Sequence, residues 1–298
     1  MLTTLIDEQD HCRRVDSLLR KLLPEAPLSY LRKLLTSGHL HVNGTLPLGG
    51  DLLRTGDQVT FKESSRLTAF MAGRRCGLDI LFEDQWIILF NKPGGMPMHR
   101  AAEVDARNLV DVGTALMRGR GEEGKLRPVN RLDRGTSGAV ILAKSPSAAG
   151  MFGRFVKEEG LDKLYLTVVA GEMAGEGTID KPLDGKESVT RYRVLCCGNG
   201  MSVVAATPLS GRMHQIRQHL TLIGHPVMGD VRYKGYPLPA GFPGFALHSF
   251  RTSFTHPATG FFETVCAPLP SSFQELCSGC NRLAWDDILP SLPDNSDR

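Results

Sequence analysis

The chain has 298 residues, 41% hydrophobic and 22% charged, with a formal net charge of +3. That suits one large globular domain, or a medium one with a small appendage, and permits a nucleic-acid partner without requiring one. No apolar run approaches the ~18 residues that span a bilayer, the N-terminus lacks the apolar core of a secretory signal, and the seven scattered cysteines point to reduced thiols, so a cytoplasmic protein with no membrane partner is expected.

Val15, Leu18, Leu19, Leu22 and Leu23 share one face of a helix over 15–23, closed by Pro24 and Pro27. A second helix is predicted from Ser29 as N-cap to a stop at Gly38, with Leu31, Leu34 and Leu35 on its core side and Ser29, Arg32, Lys33 and Thr36 on the other. Leu40–Val42 reads as a strand running into Asn43-Gly44, a strong turn signal, and Gln58–Phe61 reads as a strand after the Gly56-Asp57 turn. Six basic side chains (Arg13, Arg14, Arg20, Lys21, Arg32 and Lys33) face two acids, Asp16 and Glu25, between residues 13 and 33. On the residues alone this is either a phosphate-contacting surface or a solvated helix face. Residues 1–65 read as a small unit, and 66–77, with Gly73 and Arg74-Arg75, as a linker without clear period.

Residues 78–298 mix short strands with loops and a few helices. Strands are predicted over 86–90, 139–143, 163–169, 191–196 and 202–207, and helices over 108–118 from Asn108, over 146–159, and over 212–223. The last helix places Met213, Ile216, Leu220 and Ile223 on one side and Arg217 opposite, away from the core. Strands and helices do not alternate regularly, which argues for a mixed sheet and against a doubly wound nucleotide fold.

Several motifs are misleading. Gly119 to Gly124 matches GxGxxG, but no strand precedes it, two glutamates occupy it, and Leu126 stands where a phosphate loop needs Ser or Thr. His214, His219 and His225 have no metal-binding spacing, and Cys277-Ser278-Gly279-Cys280 has no second pair. No metal and no cofactor is expected, so the chemistry should be one that needs neither.

The most informative stretch is Asn130-Arg131-Leu132-Asp133-Arg134-Gly135-Thr136-Ser137-Gly138, which runs into the apolar Ala139 to Ala143. It sets one carboxylate between two guanidinium groups in a glycine-bearing turn before a buried strand, where nearby positive charge favours the ionised form. On the residues alone, an ordinary loop salt bridge is the commoner fate of such an Asp; a nucleophile or base is the alternative.

This segment resembles the catalytic motif of the RluA-like pseudouridine synthases. Further resemblances follow in order over roughly 78–275: the Lys-Pro-Gly loop within 80–100, KLYLTVVAG at 163–171, SGRMHQIRQHLTLIGHPVMGDVRY at 210–233, and LHSFRTSFTHPATG at 247–260. Ser29, Arg32, Lys33, Gly38, Val42, Asn43, Gly44, Gly56 and Asp57 resemble the small RNA-binding module named after a ribosomal small-subunit protein.

The resemblance implies an α+β protein: a mixed, largely antiparallel sheet catalytic domain over 78–298 with flanking helices and loops, behind a small N-terminal α/β RNA-binding module. It implies a cofactor-free isomerisation of uridine to pseudouridine in RNA, ribosomal rather than transfer RNA, by a monomer. Asp133 would supply the reacting carboxylate, Arg217 its charge partner, and Tyr165 a stacking or proton-transfer group, although Tyr165 is equally readable as a half-buried strand tyrosine. Arg131 would fill the gap left by the flipped base, and Ser29, Arg32, Lys33 and Asn43 would contact RNA. Asn130 departs from the family, which usually has His there. The same reaction on transfer RNA, or a non-catalytic RNA-binding or ribosome-assembly factor, is the competing reading. A methyltransferase with the same module would need a glycine-rich cofactor loop, which this sequence lacks.

Overall fold

The N-terminal leucine stripe closes on a small sheet. A computed structural model describes residues 1–24, 26–71, 77–99 and 107–277. Its first unit joins β1 (Leu2–Leu5), α1 (Val15–Leu22), α2 (Leu28–Thr36), β2 (Leu40–Val42), β3 (Gln58–Phe61) and α3 (Ser65–Met71). The strands pair antiparallel in the order β1-β3-β2. Leu18, Leu19, Leu31, Leu34, Val59 and Phe61 form the shared core. Asn43 (φ 51°) and Gly44 (φ 81°) both take the left-handed conformation that a tight turn demands, which lets Val42 pair with Thr45.

Three expectations change in this unit. The N-cap of α2 is Pro27, so Ser29 lies inside the first turn; Pro27 has the fixed φ suited to a helix entry. β1, too short to show a period, was not anticipated. The stretch read as a linker begins as α3, whose Leu67 is fully buried against the module core. Gly73, Arg74 and Arg75 lie outside the described residues.

The larger unit comprises β4 (Asp79–Glu83), β5 (Ile87–Lys92), α4 (Leu109–Gly119), β6 (Arg127–Pro128), β7 (Ser137–Ala143), α5 (Pro146–Glu158), β8 (Asp162–Ala170), β9 (Glu176–Asp180), β10 (Val189–Gly198), β11 (Met201–Pro208), α6 (Gln215–Leu222), β12 (Leu247–Thr255), β13 (Phe262–Cys266) and α7 (Ser271–Cys277). Ten strands form one sheet in the order β4-β5-β7-β12-β8-β11-β10-β9, with β6 beside β7 and β13 beside β12. β7 and β12 pair in parallel; the other pairings are antiparallel. The fold is α+β with a mostly antiparallel sheet. Both faces are covered, so β7, apolar from Gly138 onward, is buried along its whole length. Gly138 (φ 107°) sits where β7 meets β12; a Cβ there would fall 2.3 Å from the Ser249 carbonyl oxygen.

α6 begins at Gln215 rather than 212, which leaves Met213 63% exposed outside the helix. Arg217, expected to point away from the core, is buried. Cys277 is buried in α7, while Cys280 lies outside the described residues.

The two units are locked together by charge. Arg13, Arg14 and Arg20, counted with an exposed basic cluster, are all buried. Arg13 grips Asp79 with both terminal nitrogens at 2.8 and 2.7 Å, Arg14 reaches Glu263 at 2.7 Å, and Arg20 lies 3.0 Å from Glu83. Glu83 also receives Arg120 at 2.9 Å and Lys144 at 2.7 Å. Burial pushes the Glu83 pKa up, but these three cations outweigh it and hold the carboxyl below its ordinary value. Desolvated arginines need such matched carboxylates, and their burial here corrects the phosphate-surface reading for these three.

Candidate active site

The loop between β6 and β7 presents Asp133. Asn130 Oδ1 accepts from the Ile141 backbone N–H at 2.8 Å, so this residue pins the loop to β7. Leu132 is buried in the core, which turns its neighbours Arg131 and Asp133 outward on either side. The Thr136 N–H donates to the Asp133 carbonyl at 3.1 Å and closes the turn. Lys92, fully buried at the end of β5, donates through Nζ to the carbonyls of Pro93 (3.0 Å), Met96 (2.9 Å) and Arg134 (3.2 Å). It thereby ties the Lys-Pro-Gly loop to the Asp133 loop. Burial lowers its pKa to about 7, while the Asp133 charge raises it. Three carbonyl acceptors match the three donors of an ammonium, so the geometry is that of a protonated lysine.

Neither flanking arginine pairs with the carboxylate. Arg134 Nε donates to the Gly95 carbonyl at 3.0 Å, and Arg131 is exposed at the cleft. The partner is Arg217 on α6, whose Nη1 donates to Asp133 Oδ2 at 2.7 Å. Its Nε and Nη2 grip Asp230 at 2.6 and 2.9 Å. The guanidinium also lies over the rings of Phe245 (4.4 Å) and Tyr233 (5.0 Å). Burial opposes its charge, but the hydrogen bonds to Asp230 and Asp133 hold its pKa above the ordinary value.

Asp133, Arg131, Tyr165 and Arg217 line one cleft of about 670 Å³, large enough for an extruded nucleotide. Tyr165 lies on the opposite face of β8 from Leu164, Leu166 and Val168, as its alternation predicts. That face is less polar than expected, because Val169 and Leu247 share its cluster. Burial pushes the Tyr165 phenol up to about 12, with the Ser249 side chain opposing and the Asp133 charge adding, so it is a neutral hydroxyl at pH 7. Lys163, two residues away in the same cleft, is lowered by burial to about 8.

Ser29, Arg32 and Lys33 are exposed on the module, and Arg32 faces a second cleft of about 240 Å³ between the two units. Asn43 is exposed too, but its amide is engaged internally: Nδ2 donates to Asp57 at 2.8 Å and Oδ1 accepts from the Gln58 N–H at 2.8 Å. Sequence reasoning missed Asp230, Lys92, Tyr233 and Phe245. All but Phe245 stand in segments carrying the family resemblance, yet nothing in one sequence pairs Asp230 with Arg217.

Comparison with known proteins finds relatives over most of the chain. Residues 86–222 match the family described as RNA pseudouridylate synthase. An RNA pseudouridine synthase of Synechocystis is 32% identical over 88% of this chain and 88% of its own. Ribosomal large subunit pseudouridine synthase D of Buchnera aphidicola is 29% identical, covering 89% of this chain and 93% of its own. Among solved structures, human RNA pseudouridylate synthase domain containing 1 superposes with a TM-score of 0.56 at 26% identity, over 74% of this chain and 98% of its own.

Proposed function

This chain belongs to the RNA pseudouridine synthase family, and within it we propose that the enzyme modifies uridines of large-subunit ribosomal RNA in the cytoplasm, with Asp133 as the reacting carboxylate. The observation that carries the reading is the 2.7 Å bond from Arg217 Nη1 to Asp133 Oδ2 inside a nucleotide-sized cleft. The reaction breaks the N1–C1′ bond of uridine and joins C1′ to C5. N1 gains a proton and the C5 proton is lost, so no cofactor is consumed. Asp133 acts on the sugar, either at C1′ or by assisting elimination. Tyr165, a neutral hydroxyl in the same cleft, is the stacking or proton-transfer group for the uracil. Arg131 fills the space of the extruded base.

The relatives that bear a ribosomal large-subunit name favour ribosomal RNA as the substrate. The exposed Ser29, Arg32 and Lys33 suit phosphate contact by the N-terminal module. Mapping pseudouridines in total RNA from cells with and without the gene tests the proposal. At least one large-subunit position should lose its pseudouridine and regain it with the wild-type protein but not with Asp133→Asn. A loss confined to transfer RNA would overturn the substrate.

A further inference from the structure

His214 stands beside the carboxylate in a conformation that the rest of the site enforces. It lies at the N-cap of α6 with φ 54° and ψ 23°, left-handed backbone that costs a non-glycine residue roughly 1 kcal/mol. Such strain persists only where surrounding contacts dictate it. Here the buried Gln215 does so: its Oε1 accepts from the Arg212 N–H at 3.0 Å and the Ser210 hydroxyl at 2.8 Å, while its Nε2 donates to the Val189 carbonyl at 2.9 Å and to Thr190 Oγ1 at 3.0 Å. The loop before α6 is thus held on both sides, and the imidazole is turned into the cleft.

Both ring nitrogens then have defined neighbours. Nδ1 lies 3.0 Å from the Tyr233 hydroxyl, and Nε2 lies 3.7 Å from Asp133 Oδ1. A lone pair on Nε2 facing a carboxylate would be repulsive, whereas an N–H there is attractive. The favoured neutral tautomer therefore accepts from Tyr233 through Nδ1 and directs Nε2–H at Asp133. Arg217 occupies Oδ2, so the two side chains address different oxygens of the same carboxylate. The charges around the imidazole are Asp133, Asp230, Arg217 and Arg232; with burial the leading cause, its pKa falls below the ordinary histidine value, which keeps it neutral near pH 7. The 3.7 Å separation exceeds a hydrogen bond, as catalytic contacts often do before substrate binds.

We propose that His214 is a positioning residue for Asp133: its imidazole, oriented by the Tyr233 hydroxyl, presents Nε2–H to the carboxylate oxygen that Arg217 does not hold. The inference rests on the pseudouridine synthase reading and deepens it. No metal role is involved.

The test uses the full chain and total RNA from cells lacking the gene, labelled with tritium at uridine C5, since C5 loses its hydrogen in the reaction. Asn tolerates left-handed backbone but is too short to reach Asp133, so His214→Asn removes the imidazole and keeps the turn. Its kcat should fall on the order of 10²-fold, as for a reacting group no longer held in place, with KM for RNA within about twofold of wild type because phosphate contacts dominate affinity. Tyr233→Phe, which keeps the ring beneath Arg217, should cause a smaller loss of the same kind, and the double variant should lose no more than His214→Asn alone. Should His214→Asn fold poorly by its Tm, Tyr233→Phe still carries the test. An unchanged kcat in both variants, a loss confined to KM, or losses that multiply in the double variant would overturn the role of His214. Absence of tritium release by the wild type would instead count against the reaction itself.

Discussion

Arg217 bonds Asp133 with one nitrogen, at 2.7 Å, and Asp230 with the other two, at 2.6 and 2.9 Å. Asp230 is 1% exposed, so it anchors the guanidinium from the core side while Nη1 reaches into the cleft. One cation thus serves two carboxylates with different surroundings, one sealed in protein and one facing the cleft. Asp133→Asn should abolish isomerisation, because an amide is neither nucleophile nor base, and should leave RNA affinity within a few-fold of wild type. A filter-binding titration beside a turnover assay measures both.

Arg217→Lys retains the charge but replaces the planar fork with a single ammonium that cannot hold both carboxylates. Activity should fall at least about 10²-fold. Arg217→Ala should also unfold more easily, by about 3–5 kcal/mol, because it leaves Asp230 buried without its cation. Urea denaturation of the two variants separates the catalytic loss from the structural one. Wild-type stability of Arg217→Ala would mean that Asp230 has another partner.

The basic residues of the module divide into two groups with opposite expected behaviour. Arg32 and Lys33 are exposed, while Arg13, Arg14 and Arg20 are bound to Asp79, Glu263 and Glu83. Arg32→Ala with Lys33→Ala should weaken RNA binding and flatten its dependence on salt, by roughly 0.7–0.9 in slope for each phosphate contact removed. Glu83→Gln should leave that slope unchanged but destabilise the chain by about 3–5 kcal/mol, since it removes the buried negative charge that Arg20, Arg120 and Lys144 share. Salt titrations and thermal melts of both variants check the division.

His248 predicts a pH dependence of stability. Its Nε2 lies 3.0 Å from the Ala267 carbonyl, which only accepts, so the proton sits on Nε2 and Nδ1 accepts from the Ser137 hydroxyl at 2.8 Å. Burial pushes its pKa down to about 4 from 6.5, against the Ala267 hydrogen bond that raises it. The unfolded chain therefore binds a proton near pH 6.5 that the folded chain refuses until about pH 4. Stability from this group is complete above 6.5 and is lost as pH falls toward 4, on the order of 3 kcal/mol in all. His248→Gln, which keeps a donor and an acceptor, should flatten the fall in urea-unfolding free energy over that window by about one proton. An unchanged slope would show that His248 does not titrate as described.

The leucine spacing of 15–23, the apolar run of 139–143 and the Asn43-Gly44 turn were legible in the sequence because each reports a contact pattern set within a few residues. The stretch around Asp133 was legible in the same way, as a turn entering a buried strand. What the tertiary structure decided was the pairing of charges. Arg131 and Arg134 are next to or near Asp133 in sequence, but its partner lies 84 positions away, because Leu132 and the Gly95 carbonyl direct the local arginines elsewhere and α6 delivers Arg217. The same holds for Arg13, Arg14 and Arg20, which look like surface charge until β4 and β13 bring Asp79, Glu83 and Glu263 against them. Periodicity tells which side of an element is apolar. It carries no information about which distant carboxylate arrives there, and that arrival decides whether a cation is buried in an ion pair or left exposed to solvent.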